Sequence, residues 1–257
     1  MESDCLELQF STRRIGRTVR YHAQLDSTNN HIIQFAVDPT HEGLVVLADE
    51  QTRGRGTRSR HWYCPPGSGL LFSVLLFPPP ELRRPVVLTA LAAVSVCEAI
   101  FTHVKRQASI KWPNDVLLQE QKVCGILIEQ HGIATVVGIG VNVDVSAAEF
   151  KEHGLTHAGS LAQFAAEPLP RMDFFRSLLT TLDDYYAALL GGQLTELEAR
   201  WRWHSGLLGR QVVVLTGEEA VIGRLLEMSF SVIELETSGG QRLRYAPESM
   251  ERISLVQ

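Results

Sequence analysis

Cysteine spacings typical of a metal or redox site are missing from this chain. Its 257 residues include four cysteines, and none of them forms a CxxC pair or stands at a Cys/His spacing typical of zinc. We therefore interpret the thiols as buried or spectator groups rather than as disulfide partners or metal ligands. They are Cys5, Cys64, Cys97 and Cys124.

Long apolar runs and a secretion signal are also missing. No stretch reaches the about 18 consecutive apolar residues that suggest a membrane-spanning helix. The N-terminal segment lacks the basic stretch and following apolar run of a signal peptide. These absences predict a cytoplasmic protein that has no membrane partner.

An excess of basic charge is missing as well. The formal net charge is -5 and the isoelectric point is near 6.0, so the field of the whole molecule does not attract nucleic acid. We expect no DNA binding, and any function of the basic side chains must be local.

The apolar content of 45% is enough for a core, and the length allows one large domain and a small one. The patterns predict an α+β fold, in which a mixed β-sheet has its helices packed on one side. Strands are predicted at residues 18–25, 43–50, 69–77, 109–112, 116–118, 123–130 and 135–143, and helices at residues 28–37, 85–102, 171–190 and 194–203.

Four further short strands, separated by glycine-containing turns, predict a small C-terminal β-barrel. They are predicted at residues 211–215, 221–227, 232–237 and 241–245. We place the domains at residues 1–205 and 206–257.

The most informative segment is an arginine loop, residues 51–62, between a predicted strand and an apolar run. Gly54 and Gly56 predict positive φ angles and close approach to a ligand. Guanidinium groups bind phosphate or carboxylate oxygens, although such a loop is also typical of solvated or RNA-contacting segments. The arginines are Arg53, Arg55, Arg58 and Arg60.

Two strands carry further candidates. Simple alternation places Lys122 on the same face as Cys124 and Ile126. Its ammonium group is then predicted to lie where the strand enters the protein interior. In residues 135–143, alternation places Gly138, Gly140 and Asn142 together on a bare face that a flat ligand could cover, although a bulge or a close backbone crossing is the structural alternative.

Two polar segments complete the set. Ser27, Thr28 and Asn29 are typical of a helix N-cap, a role that is compatible with ligand binding. Residues 111–115, Lys-Trp-Pro-Asn-Asp, predict a turn between strands. The turn is either purely structural, or its Asn114 side chain faces a nucleotide.

These motifs, in this order, resemble those of the biotin protein ligases. The resemblance runs from about Tyr21 to Val143 and continues more weakly to the C-terminus. It implies a class II synthetase-like catalytic domain followed by an SH3-like β-barrel. It also implies two half-reactions, in which biotin and ATP, with Mg²⁺, give biotinoyl-5′-AMP and a lysine of a biotin carboxyl carrier domain then takes the biotin.

The resemblance also implies roles for individual residues. The catalytic residues would be Lys122, Arg55 and Arg60. Biotin would be bound by Ser27, Thr28, Asn29, Gln51, Arg55, Gly56, Thr57, Lys122 and Gly125. ATP would be bound by Arg55, Arg58, Arg60, Trp62, Lys111, Asn114, Lys122 and Asn142.

The chain departs from the family pattern in two places. Thr57 stands where many relatives have an arginine, which predicts weaker retention of the adenylate. The about 20 residues before Tyr21 are too few for a helix-turn-helix domain, so we expect a ligase of the monofunctional type without repressor activity.

Two alternatives and several open points remain. The alternatives are a lipoate or octanoate protein ligase of the same superfamily and an RNA-binding module that uses the arginine loop. The acceptor carboxylase, the role of the C-terminal barrel and the choice between monomer and homodimer stay open.

Overall fold

The computed structural model describes residues 5–217 and 219–256, and its main feature is an eight-stranded mixed sheet in the order β1-β2-β3-β4-β8-β7-β6-β5. Only β2 and β3 run parallel; the other neighbours are antiparallel. The strands are β1 Cys5–Gln9, β2 Thr18–Leu25, β3 Val45–Gln51, β4 Gly69–Leu76, β5 Ser109–Lys111, β6 Asp115–Leu118, β7 Gln121–His131 and β8 Ala134–Asn142.

Three long helices cover one face of this sheet. Proline at its first position starts α2, and the left-handed Lys105 ends it. The helices are α1 Thr28–Ile32, α2 Pro85–Val104, α3 Ala147–Glu152, α4 Arg171–Leu190 and α5 Leu194–Ser205. Short 3₁₀ turns lie at Ile33–Phe35, Pro39–His41, Thr57–Ser59, Leu161–Gln163 and Pro247–Ser249.

Helix α2 is long and apolar enough to cross a membrane by length and composition alone. However, 67% of its most apolar window is buried inside the fold. Core helices of soluble proteins also meet these criteria of length and composition, so this helix is only weak evidence for a membrane span.

Alternation along the strands explains how the sheet is covered on both faces. Val45 and Phe72 point toward the long helices and the main core. Val46 and Leu75 point the other way and pack with Ile32 of α1. The long helices thus lie on the predicted single side, whereas the short α1 packs on the opposite face, where it helps to form the candidate site.

The C-terminal residues form a second, five-stranded antiparallel sheet in the order β12-β11-β10-β9-β13. Its architecture agrees with the predicted SH3-like unit. In the described part of the chain the edge strands β12 and β13 do not pair with each other, so no closed barrel forms. The strands are β9 Gln211–Thr216, β10 Glu219–Met228, β11 Ile233–Glu236, β12 Arg242–Tyr245 and β13 Arg252–Leu255.

This second sheet shares the core of the first. Trp201 of α5 stacks on Phe230 with ring centroids 5.1 Å apart, and the indole nitrogen of Trp112 donates to the Met250 carbonyl at 3.4 Å. A domain boundary at residues 205 and 206 is still a prediction. Residues 1–4 of the predicted first domain, residue 218 and residue 257 lie outside the described residues.

Candidate active site

A cavity of about 1350 Å³ lies between the α1 face of the large sheet, the arginine loop and the second sheet. It collects nearly all of the site residues that the sequence predicts, because β8 lies between β4 and β7. The predicted residues that line it are Ser27, Thr28, Asn29, Gln51, Arg55, Gly56, Thr57, Arg60, Trp62, Lys111, Asn114, Lys122, Gly125 and Asn142.

Helix α1 is fixed to the sheet by a chain of side-chain hydrogen bonds. The side-chain oxygen of Gln51 accepts from the amide of Thr28 at 2.7 Å and from its hydroxyl at 3.0 Å. Ser73 of β4 then contacts the Thr28 hydroxyl at 2.7 Å and the Asn29 side-chain oxygen at 2.5 Å. Ser27 occupies the N-cap position but makes no capping hydrogen bond, so its buried side chain is not committed to the helix.

A β-bulge decides the position of Lys122. Val116 of β6 lies opposite Cys124, and Leu117 lies opposite Lys122, so Val123 is an extra residue. Simple alternation is therefore wrong here: Val123 joins Cys124 in the core, and Lys122 turns to the face of Gly125. A Cβ at Gly125 would lie 3.3 Å from Cε of Lys122.

The ammonium group of Lys122 is held between an acid and an aromatic ring. Its nitrogen lies 2.6 Å from Oδ1 of Asp115 and 5.4 Å from the centroid of a Trp62 ring. The side chains of Lys122 and Asp115 are 29% and 17% exposed, so this cation is partly desolvated and its attraction for anions exceeds that of a lysine in water.

The glycine face of β8 is not bare. A Cβ at Gly140 would lie 2.6 Å from the Trp62 ring, one at Gly125 would lie 2.7 Å from it, and one at Gly138 would collide with Asn29. The prediction of an open surface for a flat ligand is therefore wrong in this structure, because the indole already covers it. The Trp62 indole nitrogen is buried without a hydrogen-bond partner among the described residues.

Within the arginine loop, the positive φ angles lie at Arg58 and Ser59, not at the two glycines. Gly56 is extended, with φ of -129°. Gly54 is needed for another reason: a side chain there would collide with the Trp62 carbonyl oxygen. The glycines thus permit close packing of the loop rather than unusual dihedral angles.

The arginines of the loop have different partners. Arg55 forms an ion pair with Glu129 at 2.5 Å and donates to Asn30 at 2.7 Å. Arg60 donates to the Thr57 hydroxyl at 2.8 Å, so Thr57 helps to position this neighbouring arginine.

Among the residues assigned to catalysis, biotin or ATP, only Arg58 does not line the cavity. It binds Glu251, next to β13, at 2.7 Å, with both side chains largely exposed. This places Arg58 as a link from the loop to the second sheet and away from the predicted ATP contacts.

Two asparagines of the site bind backbone groups. Asn114 donates its amide to the Ile126 carbonyl at 2.7 Å, which ties the 111–115 turn to β7. Asn142 donates to the Gly159 carbonyl at 3.0 Å, while its buried side-chain oxygen has no partner within residues 5–217 and 219–256.

The four cysteines are free thiols, and three of them, Cys64, Cys97 and Cys124, are buried. Burial raises the pKa of Cys64 to about 11 and raises the pKa values of Cys97 and Cys124 well above the usual range, so all three stay protonated at neutral pH. Among the described residues, no group of three His, Cys, Asp or Glu side chains could hold a metal ion.

Three parts of the site have no role in the sequence-based prediction. Asp115 is the last residue of the 111–115 motif, and Glu129 is an acidic residue within a largely apolar strand, so both carry a signal in the sequence. The segment after α3, residues 154–158, lines the cavity, and its pairing with Lys122 joins distant parts of the chain. Its sequence carries no local signal for that pairing.

Comparison with known proteins agrees with this geometry. Residues 21–146 match the model of the biotin/lipoate A/B protein ligase family. The bifunctional ligase/repressor BirA of Bacillus subtilis is 31% identical over 94% of this chain and 77% of its own length. The biotin--[acetyl-CoA-carboxylase] ligase of Paracoccus denitrificans is 32% identical over 76% of this chain and 84% of its own length.

Solved structures give the same result. The biotin protein ligase from Aquifex aeolicus in complex with biotin and ATP superposes with a TM-score of 0.78, at 26% identity, over 93% of this chain and 99% of that one. The chain belongs to the biotin/lipoate A/B protein ligase family. Within that family, the Paracoccus relative and this solved structure are biotin ligases by name.

Proposed function

We propose that this chain is an ATP-dependent ligase that activates biotin to biotinoyl-5′-AMP and then transfers the biotin to a lysine of a biotin carboxyl carrier protein. The observation that carries this proposal is the position of the Lys122 ammonium group. It lies in the same cavity as the α1 polar residues and the arginine loop, and the family includes the biotin--[acetyl-CoA-carboxylase] ligase of Paracoccus denitrificans.

The first half-reaction joins two anions. A carboxylate oxygen of biotin attacks the α-phosphorus of ATP, the bond to the bridging oxygen breaks, and pyrophosphate leaves. Lys122, Arg55 and Arg60 would lower the repulsion between the reactants and stabilise charge that develops at the phosphate. In the second half-reaction the amine of the acceptor lysine attacks the acyl carbon and AMP leaves, so no nucleophile of the enzyme is required.

Substrate contacts follow from the placement of the predicted residues. We infer that biotin binds beside Ser27, Thr28 and Asn29, with Gln51 behind the helix start. The nucleotide would lie toward Trp62 and Lys111, beside the turn that holds Asn114. Asn142 lines the same cavity beside Gly159, and its side-chain oxygen, which has no partner among the described residues, is an acceptor for a donor group of either substrate.

Magnesium fits this site as a companion of ATP. Mg²⁺ is usually held by substrate phosphates, waters and one or two carboxylates rather than by a complete protein cage. Asp115 is a carboxylate that lines this cavity and would bind the ion, and the ion would then offset the charge of the phosphates.

The acceptor is a carrier domain of a biotin-dependent carboxylase, as the name of the Paracoccus relative suggests. We further infer a cytoplasmic location, where ATP and such carboxylases meet.

The experiment that tests the proposed function is pyrophosphate release with ATP and a choice of acids. Biotin should support release, whereas lipoate and octanoate should give rates near the background without an acid. Faster release with lipoate or octanoate would identify the chain as a member of the lipoate branch. RNA binding would be detected separately by retention of a labelled RNA, which the net charge of -5 disfavours.

The Arg58–Glu251 ion pair gives a prediction about adenylate retention. Because it ties the loop to the second sheet, Glu251→Gln and Arg58→Ala should each speed the release of preloaded biotinoyl-AMP about twofold to fivefold, the size expected for an exposed pair. The double variant should release it no faster than either single variant. Unchanged release in all three variants would mean that this pair does not retain the adenylate.

A further inference from the structure

Glu129 of β7 connects two separate parts of the site, although no sequence motif includes it. Its carboxylate accepts from both terminal nitrogens of Arg55, at 3.1 and 2.5 Å, and from the Asn29 side-chain amide at 2.8 Å. The Glu129 side chain is 20% exposed and Asn29 is buried. One carboxylate therefore binds the arginine loop and helix α1 at the same time.

The polar contacts extend beyond Glu129 through Asn29, whose orientation is fixed. Asn29 donates with its nitrogen to Glu129 and accepts with its oxygen from Ser73, so turning the amide over would break both hydrogen bonds. Contacts through Ser73 and Thr28 then reach Gln51, the last residue of β3 and the first of the arginine loop. Both ends of the segment from Gln51 to Arg55 are thus connected to the same polar network.

The charge of Glu129 also explains where Arg55 points. The Arg55 side chain is 42% exposed, and an isolated arginine at a loop position samples many conformations. Two parallel hydrogen bonds to one carboxylate fix both its distance and its plane. Asn30 accepts a further hydrogen bond from the same guanidinium at 2.7 Å, so the arginine lies against α1 instead of in solvent.

We propose that Glu129 is a positioning residue that sets Arg55 against α1 and thereby holds the arginine loop over the biotin pocket before ATP binds. Its effect on catalysis passes through Arg55, and it touches no reacting atom. The inference rests on the proposed function only for the identity of the substrate in that pocket, since the network itself is a feature of the described residues.

The order of the loop can be tested without any substrate. Trypsin cleaves after arginine, and residues 53–60 contain four arginines. Glu129→Gln keeps an acceptor for Asn29 and removes the charge that pairs with Arg55, so cleavage within the loop should become about threefold to tenfold faster, a modest change because the ion pair is partly exposed. Cleavage at the wild-type rate would overturn the proposal.

A matched control tests whether the loss of an unrelated carboxylate also accelerates cleavage of the loop. Asp173→Asn removes an acid that pairs with Arg176 at 2.9 Å on α4, and neither residue lines the cavity. Loop cleavage of this variant should equal that of the wild type. Equal acceleration in both variants would attribute the effect to general destabilisation and overturn the proposal.

Biotin affinity gives the second readout, through a double-mutant cycle. Glu129→Gln should weaken biotin binding about threefold to tenfold when Arg55 is present, and should cause no further loss in the Arg55→Ala background. Glu129→Asp, which keeps the charge, should recover part of the affinity. The same loss in both backgrounds would show that Glu129 acts independently of Arg55 and would overturn the proposal.

Failure of the proposed function would give results different from failure of the Glu129 proposal. A wild-type protein that binds no biotin would refute the assigned substrate, whereas the cleavage rates of Glu129→Gln and Asp173→Asn would still decide whether the carboxylate orders the loop.

Discussion

Replacing Lys122 with alanine should lower biotin-dependent pyrophosphate release about a hundredfold to a thousandfold, the size expected for loss of a preorganised charged contact. The ammonium group lies 2.6 Å from Asp115 and is partly desolvated, so its removal leaves a carboxylate facing the substrate anions. Release should be measured at saturating biotin and ATP, with folding followed by circular dichroism.

The controls for Lys122 separate charge from folding. Lys122→Arg keeps a cation beside Asp115 and should retain part of the activity and the wild-type melting temperature. Lys151→Ala removes an exposed lysine of α3 and should have no effect on release. Wild-type release from folded Lys122→Ala protein would contradict the role given to this residue.

The second large effect concerns folding. Asp183 of α4 is 3% exposed, and its carboxylate accepts from three consecutive backbone amides, those of Arg13 at 2.6 Å, Arg14 at 2.9 Å and Ile15 at 2.9 Å. Asp183→Ala leaves these donors without a partner and should lower the free energy of unfolding by about 3 to 5 kcal/mol. The melting temperature should fall by about 10 °C.

The neighbouring acid supplies the control for Asp183. Asp184 pairs with the Arg13 side chain at 2.8 Å, but its side chain is 57% exposed. Asp184→Ala should therefore change the free energy of unfolding by less than about 0.5 kcal/mol. Similar losses in the two variants, measured by urea unfolding, would show that burial of the carboxylate is not what matters at Asp183.

Many elements follow directly from local patterns. The apolar face of β8, with Val137, Ile139 and Val141, packs in the main core as its alternation predicts. The bounds predicted for residues 18–25 and 171–190 agree with β2 and α4. These elements were predictable because alternation and helical spacing are properties of adjacent residues, and burial of one face is enough to fix them.

Shorter or more exposed elements were missed. β1 was missed because it has only five residues and is largely exposed, although Leu6, Glu7, Leu8 and Gln9 do alternate between apolar and polar. Helix α3 was missed because it has only six residues. Ser146 and Glu149 form a capping box that could have indicated its start. β13 pairs with β9, which lies far before it in the chain, and no local turn signals that contact.

The sequence by itself determined which side chains are available: the arginine loop, the polar start of α1, the lysine of β7 and the glycines of β8. Only the tertiary structure decided what they contact. A one-residue bulge turns Lys122 toward the cavity, Trp62 covers the glycine face, and Arg58 meets Glu251 across 193 positions of the chain. Periodicity records the direction of a side chain relative to its neighbours, whereas an ion pair or a covered surface depends on segments that meet only when the sheet is assembled.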